Sequence, residues 1–455
     1  MGPTKTCEVQ RTPYSRESNP ENMANEMKAK SQVSLISSSH PEKIQEADAP
    51  EDKFYVVYIV FFFMGLVHLL PWSFFNTANG YWMYKFRNTT TNDTHSKFRT
   101  TLQAEFNASI MITLQVSQVA FLIIGLLYGR FISVRVRFIG ILSIVLILFV
   151  TLTAFVKIDT DSWQEGFFAM VMILTFGINS MNSVFTITLY TAISNFPHHY
   201  LAPYLAGTGI STIFTALLQI LSLATGFSVQ DNALVYFILG VVLIGFTLIL
   251  VVITTGRNQF YLYYMQNYTK NQEEKHMSFQ EGIRLFKKVW SPIAMMGLFV
   301  ITSSMSPTTL VVSEGEQNGV WNDKYFVPVI TFLLYAVCEL LGQILGFRFA
   351  PKNLPGIVWV LIAFVRMVVI FPLFMLCNAQ PRHHLPVVLP HDYQYILVVI
   401  SGAISGGYIL SRSTYITASL VKPEELKDAY HVQMLLIGVE TGILSFLSIV
   451  AVDLL

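Results

Sequence analysis

The chain has 455 residues, of which 53% are apolar and only 13% charged, and its 29 basic and 28 acidic side chains leave a formal net charge of +1. Soluble chains carry about 25% charged residues, so water-solvated domains are excluded, and membrane spans of about 20 residues are what absorb such an apolar excess. The near-zero charge gives no basic field for nucleic acid. Three cysteines, Cys7, Cys338 and Cys377, make neither a disulfide scaffold nor a thiolate metal site.

Residues 1–53 are rich in Ser, Glu, Lys, Asn and Pro and poor in aromatics, which predicts a disordered tail. It has no apolar core of a signal peptide, and its seven basic residues favour the cytoplasm. No acidic residue stands four places before Leu35-Ile36, so that pair is a poor match to an acidic dileucine sorting signal.

Eleven apolar segments follow, at 54–76, 109–129, 138–157, 165–192, 203–227, 233–255, 289–311, 325–349, 356–378, 393–418 and 431–452. Each is continuously apolar, unlike the short alternating strands of a membrane barrel, and a helix alone satisfies its own backbone in hydrocarbon. The predicted fold class is therefore an all-α polytopic membrane protein. An N-terminal bundle of six spans (54–255) and a C-terminal bundle of five (289–455) flank a cytoplasmic linker at 256–288. With the tail inside, inner loops carry thirteen Lys and Arg and outer loops seven. This bias sets the N-terminus inside and, after eleven spans, the C-terminus outside. The outer loop 77–108 holds glycosylation acceptors at Asn88, Asn92 and Asn107. Asn267 also fits the pattern but falls inside and stays bare. In 279–290, Ile283, Phe286 and Trp290 alternate with Arg284, Lys287 and Lys288, the pattern of a short helix lying on the inner leaflet.

Lipid contact needs only apolar residues, so polar groups within spans carry the functional information. Glu339 and Gln343 lie one turn apart on the eighth span, and Arg366 lies mid-way along the ninth. Two readings stay open: a polar patch facing a solute path, or a Glu339–Arg366 ion pair locking neighbouring helices. Glu440 is a further interior carboxylate on the last span, and Arg412 is expected to snorkel at the inner end of the tenth. Pro71 can kink the first span, and an interfacial aromatic belt of Trp72, Tyr81 and Trp82 is an equal alternative to a functional role for them. The fourth span crowds Asn179, Ser180, Asn182, Ser183 and Thr186 together, more than helix glue requires. His198-His199 and His383-His384 lack ligand partners at metal spacing, so no metal or cofactor is expected. No phosphate loop, dinucleotide fingerprint or hydrolase elbow is present, which argues against an enzyme.

Leu69-Leu-Pro-Trp72-Ser-Phe-Phe in the first span is similar to the Leu-Leu-Pro-Trp-Asn-Phe-Phe of the equilibrative nucleoside transporter family. Phe299-Val-Ile-Thr302 with Ser306-Pro307, Arg366 with Pro372, Cys377 and Asn378, and Ser405-Gly-Gly-Tyr408 resemble its seventh, ninth and tenth spans. Residues 54–455 are covered, in a divergent form. The resemblance implies a two-bundle architecture like the major facilitator type. It places Leu69 and Trp72 beside a nucleobase, with Asn76 at the end of that span, and a small Gly177 beside the ligand. Met181 stands where the family often has Gln, with Asn182 next to it. Glu339 and Gln343 replace an Asp-x-x-x-Arg clamp on ribose hydroxyls, keeping an acceptor and losing a guanidinium.

The expected activity is facilitative transport of nucleosides such as adenosine and uridine by alternating access at the plasma membrane, with the bilayer and the solute as the partners. A carrier of another solute, such as a nucleobase or organic cation, a proton-linked carrier and a non-transporting relative are the rivals.

Overall fold

The computed structural model describes residues 50–89, 100–226, 228–271, 278–304, 306, 308–313, 319–349, 351, 354–380, 382, 384–444 and 454–455. Residues 1–49 of the predicted disordered tail (1–53) and the acceptor Asn92 therefore lie outside the described residues, while the Asp52 carboxylate accepts from the backbone of Val57 and Tyr58.

Helices in chain order are α1 Val56–Thr77, α2 Asn79–Lys85, α3 Thr101–Tyr128, α4 Val134–Phe155, α5 Gln164–Ile193, α6 Leu201–Thr225, α7 Val229–Arg257, α8 Gln259–Asn271, α9 Phe279–Ser304, α10 Tyr335–Arg348, α11 Gly356–Leu376, α12 Asp392–Leu420 and α13 Leu426–Leu444. Among the described residues there is no strand, only isolated bridges between Val311 and Ala379 and between Cys377 and Leu389. Ten helices there are long and apolar enough to cross a membrane. α13 covers the start of the eleventh expected segment, whose remaining residues, 445–452, are not described.

Polar residues set the helix starts. Thr100 and Gln103 form a reciprocal cap that begins α3 well ahead of its apolar stretch, and such a box satisfies two otherwise orphaned backbone donors. Ser133 and Ser228 cap α4 and α7. Gly226, in the left-handed region at φ 67°, ends α6, as glycine does without a Cβ penalty. α10 is entered through π-helical turns at Trp321–Tyr325 and Val327–Leu334.

Two close approaches organise the packing. A β-carbon at Gly65 would overlap the carbonyl oxygen of Tyr204, and one at Gly207 that of Phe62, so α1 and α6 touch backbone to backbone. The same reciprocal contact recurs between α10 and α12, where Gly342 meets Ile404 and Gly407 meets Glu339. Small residues at such crossings are how membrane helices gain contact when hydrophobicity gives no drive.

Between α7 and the seventh expected span the chain is partly helical. A helix, α8, fills part of the linker, with Phe260 and Tyr264 against Phe196. The surface helix at 279–290 is continuous with the seventh span as α9, bent where Val289 leaves helical geometry, just before Pro292. Ile283, Phe286 and Trp290 are exposed along that part, while Leu285 and Val289 pack on Ala429 and Val432 of α13. The belt alternative does not hold for Tyr81 and Trp82. Tyr81 and Trp82 are buried, and Trp82 Nε1 donates to the Phe75 carbonyl at 3.2 Å. Lys85, expected in the outer loop, is buried with its Nζ donating to the Ile158 carbonyl at 2.6 Å. α2 folds these residues back into the core, and Trp82 and Lys85 spend their polar atoms on backbone carbonyls instead of headgroups.

Candidate functional site

The two asparagines of α5 have different jobs. Asn179 Nδ2 donates to the Leu114 carbonyl at 2.7 Å and to Ser117 Oγ at 2.8 Å, pinning α5 to α3. Asn182 lines a narrow cavity of about 10 Å³ with Val67 and Pro71 of α1, Val145 of α4 and Ile244 of α7. That is room for about one water. Met181 packs against the apolar core of α1–α8, and the position of a β-carbon at Gly177 lies 3.1 Å from Leu148 of α4. On α1, Leu69 is half-buried. The side chains of Trp72 and Asn76 lie outside the described residues.

α10 turns Glu339 and Gln343 to a common side. Gln343 is 4% exposed, and its Oε1 has no protein partner. It lies where α10 meets α6: the position of a β-carbon at Gly209 is 3.6 Å from that oxygen. A buried acceptor left unpaired costs about 1–3 kcal/mol. Glu339 is half-buried.

The Glu339–Arg366 ion pair, one of the two open readings, is not made among the described residues. Arg366 Nε donates to Ser405 Oγ and Nη2 to the Gly402 carbonyl, both at 3.0 Å, and the guanidinium lies 5.4 Å from the Phe299 ring centre. Its Nη1 has no protein partner. Beside it an open cleft of about 360 Å³ runs between α11 and α12, with Ile362, Ser401 and Tyr408 on its walls. Its rim meets the exposed apolar flank of α11 at Leu361, Ile362 and Val365. The structure thus brings Glu339 and Gln343 together; among the described residues Asn182 and Arg366 line separate spaces. Arg412 does not snorkel: it is 5% exposed, sandwiched 5.2 Å from the Trp359 ring and 5.0 Å from that of Tyr415. Glu440 faces Gly297 of α9 with its Oε2 buried and unpartnered. Asn88 is exposed just beyond α2, and Asn107 falls within α3.

Two histidines escaped the sequence reading. Thr186 Oγ1 donates to the Asn182 carbonyl at 3.0 Å, so it accepts from His68 Nε2 at 2.8 Å. His68 Nδ1 then accepts from the Tyr204 hydroxyl at 3.0 Å. Both nitrogens of a neutral ring are used, tying α1, α5 and α6 together. Likewise Thr191 Oγ1 donates to the Ile187 carbonyl at 2.7 Å and accepts from His431 Nε2 of α13 at 2.8 Å. Thr186 and Thr191 stand among several hydroxyls of α5, with Ser183, Thr188 and Tyr190 nearby, so neither singled out its histidine partner.

These helices define an all-helical membrane protein of the major facilitator fold. The solved structure of the proton:xylose symporter XylE bound to 6-bromo-6-deoxy-D-glucose superposes with a TM-score of 0.55 at 12% identity, over 86% of each chain. The chain belongs to the nucleoside transporter family, whose pattern it matches at residues 170–284 and 267–450. It is 28% identical to equilibrative nucleoside transporter 3 of Rattus norvegicus over 85% of this chain and 86% of that one. To equilibrative nucleoside transporter 2 of Homo sapiens it is again 28% identical, over 84% and 93%.

Proposed function

We propose that the protein is a facilitative nucleoside carrier that works by alternating access, with Glu339 and Gln343 as the polar face that takes the place of water around the sugar hydroxyls. The buried, unpartnered Oε1 of Gln343 on the helix face shared with Glu339 carries this reading. A polar solute must lose its hydration on entry, and each hydrogen bond returned by the protein is worth about 0.5–1.5 kcal/mol net, about 1.5–3 to a charged group. Leu69, Trp72 and Asn76 of α1, Gly177, Met181 and Asn182 of α5, and Arg366 complete the proposed lining. The chain runs N-inside with eleven spans in two bundles of six and five. It carries glycans on the outer loop and resides in the plasma membrane.

A second reading follows from the Arg-to-Gln difference at position 343. Removing a guanidinium while keeping the Glu339 carboxylate favours solutes rich in donors or bearing positive charge. Uptake of labelled adenosine, uridine and an organic cation by cells without carriers of their own separates the two. Saturable nucleoside uptake that Glu339→Gln slows about tenfold, at unchanged surface level, supports the first reading. Uptake of the cation alone supports the second, and full nucleoside uptake by Glu339→Gln removes the carboxylate from the site.

A further inference from the structure

We infer that His431 and Tyr430 of α13, with Thr191 and Tyr190 of α5, form a latch that holds one end of the molecule shut between those two helices. This rests on the alternating-access reading above and assigns residues to the closing step.

All four sit at helix ends that meet: the last turn of α5, which finishes at Ile193, and the first turns of α13, which starts at Leu426. The contact joins parts of the chain 240 residues apart. Its polar half is the His431 Nε2–H donated to Thr191 Oγ1 at 2.8 Å, with the threonine proton already committed to the Ile187 carbonyl. Its apolar half is the Tyr190–Tyr430 ring pair, centres 5.2 Å apart, 4% and 1% exposed. Leu426 and Tyr430 belong to the same apolar core as the helices α1–α8, and Phe347 and Val421 pack against it. The last helix therefore plugs into the first half at this end.

Alternating access opens the space between two helical sets on one side at a time. Contacts within one set survive such a motion, and contacts across the sets at the opening end must break. The His68–Thr186 pair has the same chemistry but lies entirely among α1, α5 and α6, so it survives. His431–Thr191 crosses, so it breaks. The hydrogen bond and the ring pair add to the packing of α13 along α3, where the position of a β-carbon at Gly438 lies 2.5 Å from Leu122, and of these contacts the polar one at the helix ends is the one a substitution can remove without emptying the core.

The test uses the full chain with its own three cysteines replaced by alanine. Thr191→Cys and His431→Cys together are bridged by a short bis-methanethiosulfonate. The expected result is at least a tenfold loss of transport that reduction restores, with neither single-cysteine chain affected by the reagent. Separately, Met434→Cys reports access from the α13 end. His431→Leu should speed its labelling by an impermeant thiol reagent several-fold, and His431→Gln, which keeps an N–H donor, should return it to the parent rate. Undiminished transport by the bridged pair, or identical labelling in His431→Leu and parent, overturns the latch. The labelling needs no substrate, so it decides the latch even if nucleosides turn out not to be the solute. Monodisperse size-exclusion profiles check that each variant is folded.

Discussion

Asn179 and Asn182 show how little spacing says about role. Three residues apart on one helix, they share a broad face, yet one is spent on the Leu114 carbonyl and Ser117 hydroxyl of α3 and the other borders a one-water cavity. Asn179→Ala should therefore lower stability in detergent by about 0.6–1.7 kcal/mol, the range for hydrogen bonds between membrane helices, and leave the transport constant unchanged. A thermal melt beside a concentration series of uptake checks both halves of that statement; a changed transport constant with an unchanged melt refutes the assignment. Glu339 and Gln343 were legible because a carboxylate and an amide stand out in an apolar span. His68 was not, since a histidine flanked by Val67 and Leu69 says nothing of the hydroxyls that two other helices bring to it. Lys85 misled for the converse reason. A lysine just past an apolar run reads as a loop residue, and only the fold supplies the Ile158 carbonyl that lets it be buried.

At the level of helices, apolar runs located the spans to within a few residues, because hydrocarbon forces each segment to close its own hydrogen bonds. What they left out were the polar extensions. α3 starts at Thr101 through its cap, and α9 starts at Phe279, ahead of its apolar part. The first half of α9 is tied to the approach to α13 by Arg284 and Lys288, which hold Glu425 at 2.6 and 2.7 Å. The hydrogen bond from Lys288, with its charge and that of Arg284, keeps the Glu425 carboxyl below the usual glutamate range. A carboxyl whose value is lowered in the folded state adds stability above the ordinary range, about 4.3, and that contribution fades as pH falls through the lowered value. Acidification below about pH 4 should thus loosen residues 279–290 from α13, by no more than the roughly 0.2–1 kcal/mol of a partly exposed pair. Proteolysis within 279–290 measured against pH should rise in the parent and stay flat in Glu425→Gln; parallel curves would remove the ion pair from this role.

For the whole molecule, the proposed direction across the membrane rests on the excess of basic residues in alternate loops, and one acceptor tests it. Asn88 is exposed beyond α2, and in the proposed orientation it faces the lumen during synthesis. Asn88→Gln should remove one glycosidase-sensitive step in gel mobility. An unshifted band in both parent and variant, with Asn92 and Asn107 also bare, would reverse the orientation. The fold was legible as a class because eleven apolar segments with a central polar break admit few arrangements. The pairing of helices was not, since Gly65, Gly207, Gly342 and Gly407 are unremarkable as isolated glycines and acquire meaning only against each other.

Those glycines have a mechanical consequence. Where a backbone carbonyl rests on a glycine Cα, and a second such contact returns from the partner, weak C–H···O attraction and steric interlock together forbid slippage. α1 with α6, and α10 with α12, are thus welded couples that travel as rigid rods. Any rearrangement during a work cycle is confined to the seams between couples, and a bulky graft at Gly207 or Gly407 would split a rod rather than merely slow it.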